Sequence, residues 1–211
     1  MRRVFVNPEA PHRDAVQEAA ARILRGRIVA LPTDTLYALA VDPFLPAAVH
    51  DLYEAKGRPA QRALPLIAAD AGQIRASIAP LSAAAERLGA TFWPGPLTLL
   101  LRAPRALAPE VHAGTGRVGV RVPASAVARA VCLEAGRPIT ATSANPSGVP
   151  ATADPDVVER TLGARIDFLL DAGMAPGGPP STIVDVDGPA PRLVRAGAVP
   201  WDLVQACLAR G

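Results

Sequence analysis

Two cysteines, three histidines, one lysine and eight aromatic residues are all that 211 positions contain, and each shortage removes a class of protein. Cys132 and Cys207 stand far apart and form no CxxC pair, so neither a disulfide framework nor a cysteine zinc site is expected. His12, His50 and His112 have neither metal-ligand spacing nor an HExxH setting, and no metal site is assigned to the chain's own residues. Apolar stretches such as Leu97 to Leu101 fall far short of the roughly 18 residues that a membrane span needs. Met1, Arg2, Arg3 and Val4 open no signal h-region, so a soluble cytoplasmic protein without membrane association is expected. With aromatics at 4%, few rings are left for stacking on bases, and Ala, Val, Leu and Pro must fill the core.

What is abundant is apolar and turn-forming. Half the residues are hydrophobic and 19% are charged, which supports a buried core and argues against disorder. The 23 prolines and 17 glycines mark many turns on an ordered scaffold. The length suits one domain over residues 1–211. Net charge is only +3, and no run is basic enough to announce nucleic acid. Of the 22 Lys and Arg residues only Lys56 is a lysine, an exception where a compact ammonium is wanted in place of a planar fork.

Helical spacing covers Asp14 to Arg25, Ala47 to Lys56, Ser82 to Leu88, Ser125 to Glu134, Asp154 to Leu162 and Pro200 to Leu208. Strand-like runs cover Ile28 to Leu31, Leu64 to Ala68, Leu97 to Leu101, Val118 to Val122, Ile139 to Ala141, Thr182 to Asp185 and Leu193 to Arg195. This alternation predicts an α/β fold, a twisted mixed sheet flanked by helices, with ligands met at strand ends.

Gly114, Gly116 and Gly119 satisfy GxGxxG, but a strand rather than a helix follows them, so a dinucleotide site is rejected. Polar clusters instead follow apolar strands: Thr33, Asp34 and Thr35; Lys56 and Arg58; Thr142, Ser143 and Asn145; Ser181 and Thr182; and Arg195. Each alone could be a turn or a helix cap. Arg121 is harder to dismiss, because a guanidinium inside an apolar strand needs a partner to offset desolvation. Cations, hydroxyls and an amide without a nucleophile-base pair suit phosphoryl or nucleotidyl transfer and not a hydrolytic triad.

The segments PTDTLYALA, KGRP, TFWPGPLT, VGVRVP, TSANPSG, PSTIVD and LVRAGAVP, in this order from Pro32 to Pro200, resemble the YrdC-like threonylcarbamoyladenylate synthases, of the short bacterial type. The resemblance implies a YrdC-like fold with a central cavity. It implies synthesis of L-threonylcarbamoyladenylate from L-threonine, bicarbonate and ATP, with release of pyrophosphate, for threonylcarbamoyladenosine modification of tRNA. Lys56 and Arg58 would be catalytic; with Arg62, Ser143, Asn145 and Arg195 they would bind ATP, accompanied by Mg²⁺. Thr35, Arg121 and Ser181 would hold threonine. Partners would be tRNA-modification proteins, with weak direct tRNA binding left open.

Ala38 and Ala40 stand where the family pattern carries glycines, and Arg62 and Ile67 replace the Asn and His of many members. The alternative reading is a non-catalytic RNA-binding YrdC-like module. Carbamoyl transfer of the hydrogenase-maturation kind is opposed by the lack of any CxxC.

Overall fold

The computed structural model describes residues 1–57, 62–188 and 190–209. In chain order its elements are β1 (Arg2–Phe5), α1 (Arg13–Leu24), β2 (Val29–Pro32), β3 (Tyr37–Ala40), α2 (Pro46–Lys56), β4 (Leu66–Ile67), α3 (Ala71–Ser77), α4 (Ala83–Phe92), β5 (Leu97–Arg102) and β6 (Arg117–Arg121). There follow α5 (Ala126–Ala135), β7 (Ile139–Thr140), β8 (Thr142–Ser143), α6 (Pro155–Leu162), β9 (Phe168–Asp171), β10 (Thr182–Asp185), β11 (Arg192–Arg195) and α7 (Trp201–Ala209). A 3-10 turn spans Pro109–His112.

The expected α/β architecture is present, with its strands divided between two mixed sheets. One runs β1-β9-β2-β3-β8 and the other β11-β10-β5-β6-β4-β7. Both mix parallel pairs, such as β2 with β9 and β10 with β5, with antiparallel ones, such as β2 with β3 and β5 with β6. The chain crosses from one sheet to the other at Ala141, between β7 and β8. Thr140 stitches this crossing: its Oγ1 accepts from the Val41 amide at 2.9 Å, and its own amide donates to the Val41 carbonyl at 3.1 Å. A buried hydroxyl here satisfies a backbone donor that neither sheet pairs.

Helices follow their apolar stripes. Val16, Ala19, Ala20 and Ile23 of α1 and Val127, Ala128, Val131 and Cys132 of α5 form one core with Val29, Leu31, Phe168 and Leu170. A larger core gathers Leu52 and Leu88 from helices with Leu39 of the first sheet and Leu66, Leu97, Leu99, Val118 and Val120 of the second. Ser82 and Ser125 cap α4 and α5 by accepting from Ala85 and Ala128. Burial pushes the Cys132 thiol far above its ordinary value, as suits a small core side chain.

Helices expected from spacing are present within a few residues. β1, β3, β8, β9 and the short helix α3 are additional. Tyr37 to Ala40, part of the segment PTDTLYALA, pairs with β2 in full antiparallel register. Arg117–Arg121 is a strand that starts directly after Gly116 and contains Gly119, so no helix opens on the GxGxxG glycines and the rejection of that motif stands. No helix among the described residues is long and apolar enough to cross a membrane.

Candidate active site

A cavity of about 440 Å³ opens between the two sheets. The first sheet contributes Ala38 and Ser143, and the second contributes Leu66, Ile67, Thr98, Gly119, Arg121, Ile183 and Arg195. Thr33, Thr35, Pro180 and Ser181 close it from loops. Strand alternation explains the lining: Leu97, Leu99 and Leu101 go to the core, while Thr98 on the opposite face meets the cavity. Gly119, paired with Leu100, lies close to Thr98, and a Cβ there would come within 3.0 Å of the threonine methyl group.

Five of the predicted residues line this one space: Thr35, Arg121, Ser143, Ser181 and Arg195. Thr35 shares a 3.2 Å hydroxyl contact with Thr33. Ser181 shares one of 2.8 Å with Thr98. Arg195 donates through Nη2 to the Ser181 carbonyl at 2.7 Å and to Ser181 Oγ at 3.1 Å. Partial burial, and then the charge of Arg121, hold the Arg195 guanidinium below its ordinary value. Two guanidinium groups therefore face one cavity.

Gly197 makes this end possible. Its backbone lies against residues 180–182, where a Cβ would sit 2.5 Å from the Ser181 carbonyl carbon, and Ala198 donates to the Pro180 carbonyl at 2.9 Å. The GAVP turn thus holds Arg195 over Ser181.

Arg121, a guanidinium in an apolar strand that needs a partner, has one in the protein: Nη1 donates to Asp34 Oδ1 at 2.7 Å and to Oδ2 at 2.9 Å. Both side chains are about one tenth exposed, so the pair offsets the desolvation of each member.

Lys56 and Asn145 are placed beside the cavity and do not line it. Lys56 ends α2, where Gly57 takes the left-handed conformation at φ 59°. Its Nζ donates to the Ser143 carbonyl, to the Asn145 carbonyl at 2.8 Å and towards Asn145 Oδ1 at 3.4 Å. In return, Ser147 donates to the Lys56 carbonyl at 2.7 Å. Asn145 Nδ2 reaches the Val149 and Pro146 carbonyls at 2.5 and 3.0 Å. These contacts make a clamp that shapes the segment 143–149. Exposed Arg62 uses its carbonyl to accept from Tyr53 at 2.7 Å and does not line the cavity. Arg58 lies outside the described residues.

Ala38 and Ala40 are regular β3 residues with no positive φ, so the departure from glycine carries no backbone strain. Thr98 was not singled out by the sequence, although a hydroxyl in an otherwise apolar strand was a usable signal. Thr33 and Asp34 were read as part of a turn, and their spacing did not single out Arg121 as a partner. Tyr37, in the same motif, is structural: its hydroxyl donates to the Gly173 carbonyl at 2.8 Å, and burial pushes its pKa up to about 12.

A family model described as telomere recombination, covering Sua5, YciO and YrdC, matches residues 21–197. The threonylcarbamoyl-AMP synthase of Bacillus subtilis is 37% identical over 194 residues, which are 92% of this chain and 56% of that protein. That of Halorhodospira halophila is 40% identical over 156 residues, 74% of this chain and 81% of that one. The chain thus spans little more than half the length of the Bacillus relative, as it does of the Pyrococcus abyssi threonylcarbamoyl-AMP synthase, 34% identical over 190 residues. Among solved structures, P. abyssi Sua5 complexed with L-threonine superposes with a TM-score of 0.92 and 32% identity, covering 99% of this chain and 61% of that one. Escherichia coli YciO superposes at 0.84 with 23% identity over 95% of this chain and 98% of that one, a likeness of fold.

Proposed function

The chain belongs to the Sua5/YciO/YrdC family, and on that premise we propose that it is a threonylcarbamoyl-AMP synthase, joining L-threonine, bicarbonate and ATP into L-threonylcarbamoyladenylate and pyrophosphate. The observation that carries this reading is the joint facing of Arg121, Arg195, Thr35 and Ser181 into one cavity, in a fold superposing closely on a Sua5 complexed with L-threonine. We read residues 1–211 as one domain acting in the cytoplasm, its product passing to tRNA-modifying partner proteins.

In this proposal the threonine carboxylate meets the guanidinium of Arg121, and the threonine hydroxyl meets the Thr35 and Ser181 side. The threonine amine attacks bicarbonate carbon, and loss of water leaves a carbamate. A carbamate oxygen then attacks the α-phosphorus of ATP, and the bond to the β-phosphate oxygen breaks, releasing pyrophosphate. Ser143 and Arg195 contact the nucleotide, with Arg195 offsetting charge on the phosphates. Arg58 and Arg62 complete the cationic set. Lys56 and Asn145 contribute by holding the segment 143–149 in shape around the nucleotide. No group of three or more His, Cys, Asp or Glu residues placed to hold a metal ion exists among those described. Among the described residues the cavity lining offers hydroxyls but no carboxylate, so Mg²⁺ would be held mainly by the nucleotide's own phosphates and would supply charge neutralisation there.

The test is mass spectrometry of a reaction holding ATP, L-threonine and ¹³C-bicarbonate. The expected product is a labelled threonylcarbamoyl-AMP that requires all three. Pyrophosphate release independent of threonine, or none at all, overturns the reading.

A further inference from the structure

We propose that Asp34 is a positioning residue of the cavity, fixing Arg121 and cancelling one of two facing cationic charges so that the site selects a ligand bearing a single carboxylate. The proposal rests on the threonine reading above and adds to it a residue and a selection rule.

The geometry has three parts. Asp34 takes only Nη1 of Arg121, on both its oxygens, and the described residues give Nε and Nη2 no hydrogen-bond partner. One edge of the guanidinium is thereby held and the other is left to the cavity. Second, Asp34 does not line the cavity. It lines a separate crevice of about 430 Å³ with Pro8, Pro32, Ser125 and Met174, and Thr33 borders both spaces. The carboxylate therefore approaches Arg121 from behind the wall, and a ligand on the cavity side need not displace it. Third, Arg195 enters the same cavity. Two uncompensated arginines on one cavity would favour a second negative charge on the ligand; Asp34 neutralises Arg121, so its free edge holds one carboxylate and Arg195 is left to the phosphates.

Isothermal titration of L-threonine, L-aspartate and ATP tests this on wild type, Asp34→Asn, Arg121→Gln and the double variant. Aspartate is the probe because it is close to threonine in size and carries a second carboxylate. In Asp34→Asn, threonine should bind at least tenfold more weakly and ATP less than threefold more weakly, with the aspartate-to-threonine affinity ratio rising at least tenfold. In the Arg121→Gln background, adding Asp34→Asn should change threonine affinity less than twofold, because Asp34 acts through Arg121. A folded Asp34→Asn with unchanged threonine affinity, equal losses for threonine and ATP, or additive effects in the double variant overturns the proposal. Removing one partner of a buried pair can unfold a protein. If Asp34→Asn melts, the double variant against Arg121→Gln still decides, and Asp34→Glu, which keeps the charge, should still reject aspartate as wild type does. Wild type that binds no threonine overturns the functional reading and this one together. Wild-type binding with the failures above overturns the role of Asp34 alone.

Discussion

Lys56, the last residue of α2, donates from Nζ to the backbone carbonyl of Asn145 at 2.8 Å, tying a helix end to the loop that follows β8. The same nitrogen serves the Ser143 carbonyl, so the chain's one lysine acts as a point donor converging on oxygens from several directions. Lys56→Met keeps the stem and strands those carbonyls, at a cost of about 1–3 kcal/mol. For a chain of this length that lowers Tm by roughly 2–4 °C per kcal/mol. Lys56→Arg should fare little better, because a planar fork cannot reproduce the convergence. Calorimetry with turnover assays checks this, and an arginine variant with wild-type Tm and rate would contradict it.

Thr98→Val preserves shape and removes the hydroxyl that pairs with Ser181 at 2.8 Å. The expected loss is about 0.5–1.5 kcal/mol of interaction. The KM for threonine should rise several-fold, with the KM for ATP nearly constant, since Ser181 keeps its contact with Arg195. Steady-state titration of both substrates reads this out. An equal rise for both would place Thr98 in the nucleotide half of the cavity.

Gly197→Ala should separate Arg195 from Ser181, because the added Cβ meets backbone atoms that cannot swing aside. The outcome expected is a Tm several degrees lower and weakened ATP binding, measured by thermal shift with and without nucleotide. A variant with wild-type Tm and nucleotide response would show that the 180–182 segment yields to the methyl group.

How far the sequence could be read depended on whether a residue's role is local. Helix α1 and strand β10 were legible because the apolar spacing that marks each acts within a few residues. Strand β9 was not, since Phe168–Asp171 is a short buried run that gains meaning only between β1 and β2. The strands were legible as strands, but their division into two sheets depends on the crossing at Ala141. Arg121 was conspicuous as a cation in an apolar strand, yet its partner Asp34 lies 87 residues away in the chain. Lys56 stood out by its rarity, whereas its clamp on the loop at 143–145 follows from tertiary approach alone.

Asp185 gives the fold an acid limit. Its side chain is nearly inaccessible, and burial alone would raise its pKa. The Asp187 amide at 3.1 Å, Arg192 at 3.0 Å and Arg117 at 2.6 Å outweigh that and hold the carboxyl below its ordinary value. The unfolded chain therefore takes up this proton first as pH falls. The stabilisation is fully present above the ordinary carboxylate value near pH 4 and is lost as pH drops through the lower folded value. Asp185→Asn should lower Tm at pH 7, because it leaves Arg117 with only Asp187 at 2.7 Å. It should also flatten the fall of Tm below about pH 4, since the titrating group is gone. Melting curves of both proteins from pH 7 to pH 2 decide the matter: the two should converge in acid, and curves that stay parallel would assign the acid limit to another carboxylate.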